Sequence, residues 1–432
     1  MLIGITTKTL SGCPHCGLPS AAKGRNMRRI FILFMVTVVV LSISATSSEA
    51  AGNEAILPKG EKTPIYLENY ARPSTVIGYI NKGAAIQPAG SAGAHWKVRY
   101  GNGYGYVLKK QVQFRSHSRE AFTQPLQSKN QIITQRSTPV YVKKKGKNIA
   151  IGSIAKNMRY PVEKQTGKEY LINFGARKAF ISKNHVEADK GVPVLMYHHL
   201  LTDEENKNYR TNSTIPVDQF SEEMKWLRLN GYKSITMQEL EAYMKGRGIL
   251  PAKAVVITFD DGLKSAFHYA YPILKENRLK ATNFIITSRI EDQESKFDPD
   301  RLQFLSSREM NAMTDIFKYG GHTHAMHSML FSRGYLVIKS LQEVRTDLVK
   351  NINLLHTRYL AYPYGQTNNQ VTALMKELDY SLAFTIAPGY ATPHDDPYRI
   401  PRFGISPGMP LEEFKSIMEG NYSKNRTIVT VK

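Results

Sequence analysis

The chain has 432 residues, 42% of them hydrophobic and 10% aromatic, enough for two or more globular domains with a sizeable core. It carries 58 Lys and Arg against 36 Asp and Glu, a net charge of +22 that favours anionic partners; with no polybasic arm and no nucleic-acid motif, acidic polymers are expected rather than nucleic acid. Its two cysteines, Cys13 and Cys16, lie near the N-terminus, which excludes disulfides and thiolate metal sites from the folded domains.

Residues 1–26 hold Cys13-Pro14-His15-Cys16, half of a zinc ribbon without the second cysteine pair that would complete four ligands. Met27 is therefore read as the physiological start, with 1–26 a doubtful leader. Residues 27–51 have the three parts of a secretory signal: Met27-Arg28-Arg29, an apolar run over 30–41 broken by Thr37, and small residues up to Ala51. The apolar run is short for a bilayer span. Export with cleavage near Ala50 or Ala51 is expected, to the cell wall or the exterior, and a membrane would be met only through an uncleaved signal segment.

From 54 to 186 the pattern is short strands and turns, and it occurs twice. Thr63-Pro64-Ile65-Tyr66-Leu67 returns as Thr138-Pro139-Val140-Tyr141-Val142, and Ile77-Gly78-Tyr79 as Ile151-Gly152-Ser153. The strand from His95 to Tyr100 is matched by Glu169 to Phe174, and Gly105-Tyr106-Val107 by Ala179-Phe180-Ile181. Each copy suits a small β-barrel. The arrangement resembles bacterial SH3-like (SH3b) wall-binding domains, which implies two small all-β barrels at 54–114 and 131–186 with a polar linker at 115–130. Trp96, Tyr100, Tyr104 and Tyr106 are candidates for stacking on sugar or peptide, although Trp96 and Tyr106 are expected in the barrel core.

Strands alternating with helices fill 191–420, before a tail at 421–432. Val192–Tyr197 reads as an apolar strand ending in His198-His199, and Ala254–Phe259 as a strand buried on both faces that ends in Asp260-Asp261-Gly262. Helices are predicted at 217–229, 264–277, 307–314, 340–356 and 369–378, with strands at 281–287, 316–319, 359–361 and 382–386. Such alternation implies parallel βα units closing into a barrel, with chemistry at the C-terminal strand ends. Six of the twelve histidines fall in those segments or just after them: His198, His199, His322, His324, His327 and His394. Adjacent residues of a strand point to opposite sides, so one of the paired carboxylates can hold a metal while the other serves as a base. One carboxylate with two imidazoles suits Zn²⁺ or another divalent transition metal.

Thr258-Phe259-Asp260-Asp261-Gly262 resembles the first motif of NodB-type polysaccharide deacetylases, carbohydrate esterase family four. The likeness runs from about Gly191 to Met418. The spacing His322-Thr323…His327 and the segment Ala361-Tyr362-Pro363-Tyr364-Gly365 are similar to the poly-N-acetylglucosamine branch, where the wider family has an arginine at the place of Ala361. The resemblance implies a distorted (β/α) barrel. It makes Asp261, His322 and His327 the metal ligands, with His324 the alternative, Asp260 the base and His198 the acid. It gives the Tyr364 backbone N–H to the developing oxyanion and makes Arg402, in Arg399-Ile400-Pro401-Arg402, a supporting group. The implied reaction removes N-acetyl groups from peptidoglycan or poly-N-acetylglucosamine, beside anionic wall polymers. The alternative is a wall-binding protein whose barrel no longer catalyses.

Overall fold

The computed structural model describes residues 54–67, 75–118, 121–123 and 128–422; the expected leader and signal lie outside these, as does the tail from 423. No helix among the described residues is long and apolar enough to cross a membrane.

The repeats form strands where the sequence places them, and the two copies are joined through one sheet. Lys62–Tyr66, Val76–Asn81, His95–Tyr100 and Gly103–Leu108 of the first copy match Thr138–Lys144, Lys147–Ile154, Glu169–Phe174 and Arg177–Ser182 of the second. All eight lie in one sheet that passes from copy to copy. The copies join like strand to like strand, antiparallel: Val76–Asn81 on Lys147–Ile154, with Gly152 opposite Ile80 and Ile154 opposite Gly78, and Phe174 opposite Tyr100. Antiparallel pairing of equivalent strands is what a two-fold relation produces.

The matched glycines explain why the joint sits there. A Cβ on Gly78 would stand 2.5 Å from the Ser153 carbonyl oxygen, and one on Gly152 would stand 2.3 Å from that of Tyr79. Only glycine allows the two backbones so close. Beneath the joint lies one common core, with Ile77, Tyr100, Tyr160, Ile172 and Phe174 fully buried. Tyr100 packs edge-on to Tyr160 at 5.0 Å and to Phe174 at 6.3 Å between centroids.

The expected core position of Tyr106 is corrected by strand alternation, whereas Trp96 packs against the core from its edge. Along Gly103–Leu108 the inward residues are Gly103, Gly105 and Val107, which turns Tyr104 and Tyr106 to half-buried outer positions. Trp96 is half-buried and stacks on Phe114 at 5.1 Å, and Tyr100 is the buried aromatic instead.

The second half winds as β1 (Val192–Tyr197), α1 (Val217–Leu229), α2 (Met237–Met244), β2 (Ala254–Phe259), α3 (Tyr271–Asn277), β3 (Ala281–Ile285), α4 (Ser307–Ala312), β4 (Phe317–Gly321), α5 (Leu341–Leu355), β5 (Tyr359–Ala361), α6 (Asn369–Glu377), β6 (Leu382–Phe384), β7 (Phe403–Gly404) and α7 (Leu411–Met418). Strands β1 to β6 pair in parallel in the order β6-β5-β4-β3-β2-β1. The segment from Ile400 to Gly404 closes the ring: Ile400 bridges Phe384 of β6, and β7 pairs with β1. The result is a distorted (β/α) barrel. Every residue of β1 and β2 is buried, which is why both read as unbroken apolar runs. Helices α2 and α7 and the short β7 are additions to the elements read from the sequence. The predicted helix at 264–277 starts as a π-helical turn, Ala266–Ala270, before α3.

The halves are locked by a buried ion pair. Arg159 Nε donates to Asp189 Oδ2 at 3.0 Å, and both side chains are 3% exposed. The guanidinium also donates to the carbonyls of Pro251 and Gly191, while Tyr243 of α2 donates to the same carboxylate at 2.8 Å. Removing one partner strands a buried charge. Arg159→Ala is expected to lower the unfolding free energy by about 3–5 kcal/mol. Arg358→Ala, which removes the exposed pair with Asp379, should cost under about 1 kcal/mol. Urea titration of the two variants checks the contrast.

Candidate metal centre and active site

The C-terminal strand ends bring five of the expected residues together, and Arg402 reaches them from the start of β7. Asp260 and Asp261 follow β2, His198 follows β1, His322 follows β4, Tyr364 lies just beyond β5, and Arg402 directly precedes β7.

Asp260 is buried, 2% exposed, and clasped by Arg402, itself 0% exposed. Nη1 and Nη2 each donate to one carboxylate oxygen at 2.7 Å. Arg402 also donates from Nη1 to Thr258 Oγ1 at 3.2 Å and from Nε to the Thr385 carbonyl at 3.0 Å. Burial pushes the Asp260 carboxyl up, but the charge and hydrogen bonds of Arg402 outweigh it and hold the group below the usual carboxylate range. The guanidinium beside the carboxylate thus comes from the segment that closes the barrel.

Asp261, His322 and His327 converge, their ligand atoms all within 4.8 Å of one another. Asp261 Oδ1 stands 3.4 Å from His322 Nε2 and 3.2 Å from His327 Nε2. Ligands about 2.0–2.2 Å from a tetrahedral zinc lie roughly 3.3–3.6 Å from each other. The protonation pattern agrees. His322 Nδ1 is 2.8 Å from the Ala361 carbonyl and must donate to it, so in the neutral ring Nε2 carries the lone pair. His327 Nδ1 is 3.3 Å from the Tyr364 hydroxyl, which leaves its Nε2 for Asp261 too. Asp261 Oδ1 is buried without a hydrogen-bond partner. Two imidazole nitrogens and a carboxylate oxygen at these separations fit a divalent metal. The field of the site has the right sign. Burial pushes Asp261 up, yet the facing imidazoles hold it well below the usual range. His322 is raised because Asp261 and Asp260 outweigh its burial.

His198 is half-buried beside these groups, its pKa lowered chiefly by burial against the opposing pull of Asp260 and Asp261. His199 is buried, with Nδ1 2.8 Å from Ser265 Oγ, and burial pushes it down to about 4. His324 is outside the ligand group; its Nδ1 lies 3.1 Å from Thr287 Oγ1. His394 is an exposed turn residue whose backbone N–H donates to Thr392 Oγ1. The histidine cluster therefore contributes three members to the centre, with His199 beside it.

Two residues that the sequence reading passed over hold the ligand loop in shape. Asp347 of α5 accepts from the backbone N–H of His324 at 2.8 Å and of Ala325 at 2.6 Å. Asn351, one turn on and fully buried, donates to the carbonyls of Thr323 at 2.8 Å and Ile285 at 3.3 Å. Gly321 must be glycine, because a Cβ there would meet Asn351 Oδ1 at 2.0 Å. Between the ligands Thr323 sits at φ +69°, costly for a β-branched residue by about 1–3 kcal/mol. The signal for both was present: two polar residues at i, i+4 on the buried stripe that α5 shares with Val344 and Leu348.

A family profile described as polysaccharide deacetylase matches residues 247–383. A poly-β-1,6-N-acetyl-D-glucosamine N-deacetylase of Staphylococcus aureus is 31% identical over 212 residues, 47% of this chain and 70% of that one. The chain belongs to the NodB-type polysaccharide deacetylase family. It is a polysaccharide N-deacetylase, a hydrolase of carbon–nitrogen bonds other than peptide bonds. Among solved structures it is similar to IcaB from Ammonifex degensii, at 24% identity and a TM-score of 0.46 over 54% of this chain and 98% of that one. It is also similar to the Streptococcus pyogenes deacetylase PplD in complex with acetate, at 26% identity and a TM-score of 0.46 over 53% and 98%.

Two outcomes follow. After incubation with zinc and dialysis, Asp261→Ala, His322→Ala and His327→Ala should each have lost tightly held metal, whereas His324→Ala keeps most of it. Full occupancy in His327→Ala with loss in His324→Ala would falsify the assignment. Asp347→Ala should weaken zinc binding about 10–100-fold, since a partner behind the ligands is removed. A zinc titration that superimposes on wild type would show that the loop holds its shape without it.

Proposed function

We propose that this protein is an exported, metal-dependent enzyme that removes N-acetyl groups from a polysaccharide containing N-acetylglucosamine, with poly-β-1,6-linked N-acetylglucosamine preferred over peptidoglycan. The observation that carries the reading is the convergence of Asp261, His322 and His327 beside the clasped Asp260. The substrate preference draws on the activity named for the staphylococcal relative. A zinc or similar ion held by Asp261, His322 and His327 would polarise the acetamide carbonyl and lower the pKa of a water beside it.

The protein groups divide the remaining work. Asp260, ionised and fixed by Arg402, takes a proton from the attacking water. The Tyr364 backbone N–H donates to the acetamide oxygen as negative charge grows there. His198 gives a proton to the departing amine. Acetate and a free glucosamine unit result.

The signal at 27–51 supports export, and the SH3-like pattern of the two repeats supports attachment to the wall. The net charge of +22 favours anionic wall polymers beside the glycan. Acetate release measured on both polymers tests the substrate.

Asp260→Asn should retain its metal and lose acetate release by about 10²–10⁴-fold. Arg402→Met tests the base through pH. Without the guanidinium, burial is opposed only by His322 and His198 and the Asp260 pKa rises, so more alkaline solution is needed to ionise it. The acidic limb of kcat/KM should move to higher pH. An unmoved limb would assign the base elsewhere.

A further inference from the structure

Between His327 and the helical turn Tyr335–Ile338 the chain forms a tight hairpin, Met329–Leu330 pairing with Arg333–Gly334. Met326 before it and Leu336 after it are buried in the core beneath α5. The apolar residues of the hairpin itself are not: Met329 is 48% exposed, Leu330 51% and Phe331 91%. The turn residues Phe331 and Ser332 have φ +47° and +63°. Two consecutive left-handed residues are natural to Asn-Gly, and each costs a side-chain-bearing residue about 1–2 kcal/mol. The phenylalanine is thus held outward at a place where folding alone would favour a cheaper residue.

The hairpin is braced against the site. Gln366 donates to the Ser332 carbonyl at 2.9 Å and accepts from the Gly334 N–H at 2.7 Å. Gly334 lies against the Tyr364 ring, which is itself 4.6 Å from the His327 ring. Ile386, 48% exposed, packs on Gly365. An apolar, partly aromatic rim therefore runs outward from the ligand His327 through Tyr364 and the hairpin.

We propose that the hairpin is a glycan subsite, in which Phe331 offers its face to a sugar ring flanking the unit that loses its acetyl group. This deepens the deacetylase reading and rests on it. A polymeric substrate extends beyond the reacting unit, and the rim is continuous with the reacting centre. The C–H face of a pyranose is apolar while its hydroxyls stay in water, which suits an exposed ring on a rigid hairpin better than a pocket.

The test uses the full chain loaded with zinc, a β-1,6-linked N-acetylglucosamine pentasaccharide, and an aryl acetate too small to reach the hairpin. In Phe331→Ala the ratio of kcat/KM on the pentasaccharide to that on the aryl ester should fall about tenfold, through KM, and Phe331→Trp should restore it. An unchanged ratio overturns the subsite, as does an equal loss on both substrates. A ratio that holds while sedimentation with anionic lipid vesicles is lost assigns the hairpin to a membrane surface instead and also overturns it. Wild type that hydrolyses the ester but releases no acetate from any saccharide refutes the deacetylase reading, and the subsite with it.

Discussion

The buried pair of Asp260 and Arg402 is the constraint around which the barrel and its chemistry are built. Taking both charges out of water costs several kcal/mol per ion, and the pair is tolerable because the guanidinium makes four directed hydrogen bonds. Arg402 reaches Asp260 and Thr258 at the end of β2 and the Thr385 carbonyl beyond β6, and Phe403 beside it pairs with β1. The same guanidinium thus ties the closing segment of the barrel to the strand that presents both carboxylates. Asp260 is fixed in orientation and kept ionised, and its neighbour Asp261, at φ +73°, is turned to the other side to face the imidazoles.

The ligand loop shows the same economy at a second place. His322 leaves β4 directly, but His327 arrives through a strained Thr323 and a run of backbone N–H groups with no strand to join. Helix α5 supplies what a strand would have: a carboxylate from Asp347 for two N–H groups and an amide from Asn351 for two carbonyls. A five-residue spacing, unsuited to one face of a helix, becomes a usable pair of ligands because the helix outside the barrel dictates the turn.

Much of this was legible in the sequence. The apolar run into Asp260-Asp261 marked a buried strand end, and the spacing of His322 and His327 ruled out a regular helix between them. What escaped were relations between distant positions. Nothing in the order of residues says that Arg402 meets Asp260, 142 positions away, with both oxygens engaged. Asp347 and Asn351 read as ordinary polar positions until the loop above them is seen. In the repeats the periodicity identified each strand, yet Tyr106 was misplaced because its inward neighbours are glycines and a valine, so the larger residue looked like the core. The repeats also concealed their joint, since each copy taken alone supplies strands enough for its own barrel.

That joint makes the two copies one cooperative folding unit. The first copy on its own would leave Val76–Asn81 and Tyr100 as bare sheet edges beside an open core, the kind of surface that associates with other chains. Its native partners lie about 70 positions downstream, so the sheet cannot close until the second copy is available, and such long-range pairing is intrinsically slow to form. A chain interrupted between the copies does not keep half of a working fold; it keeps an unfinished sheet.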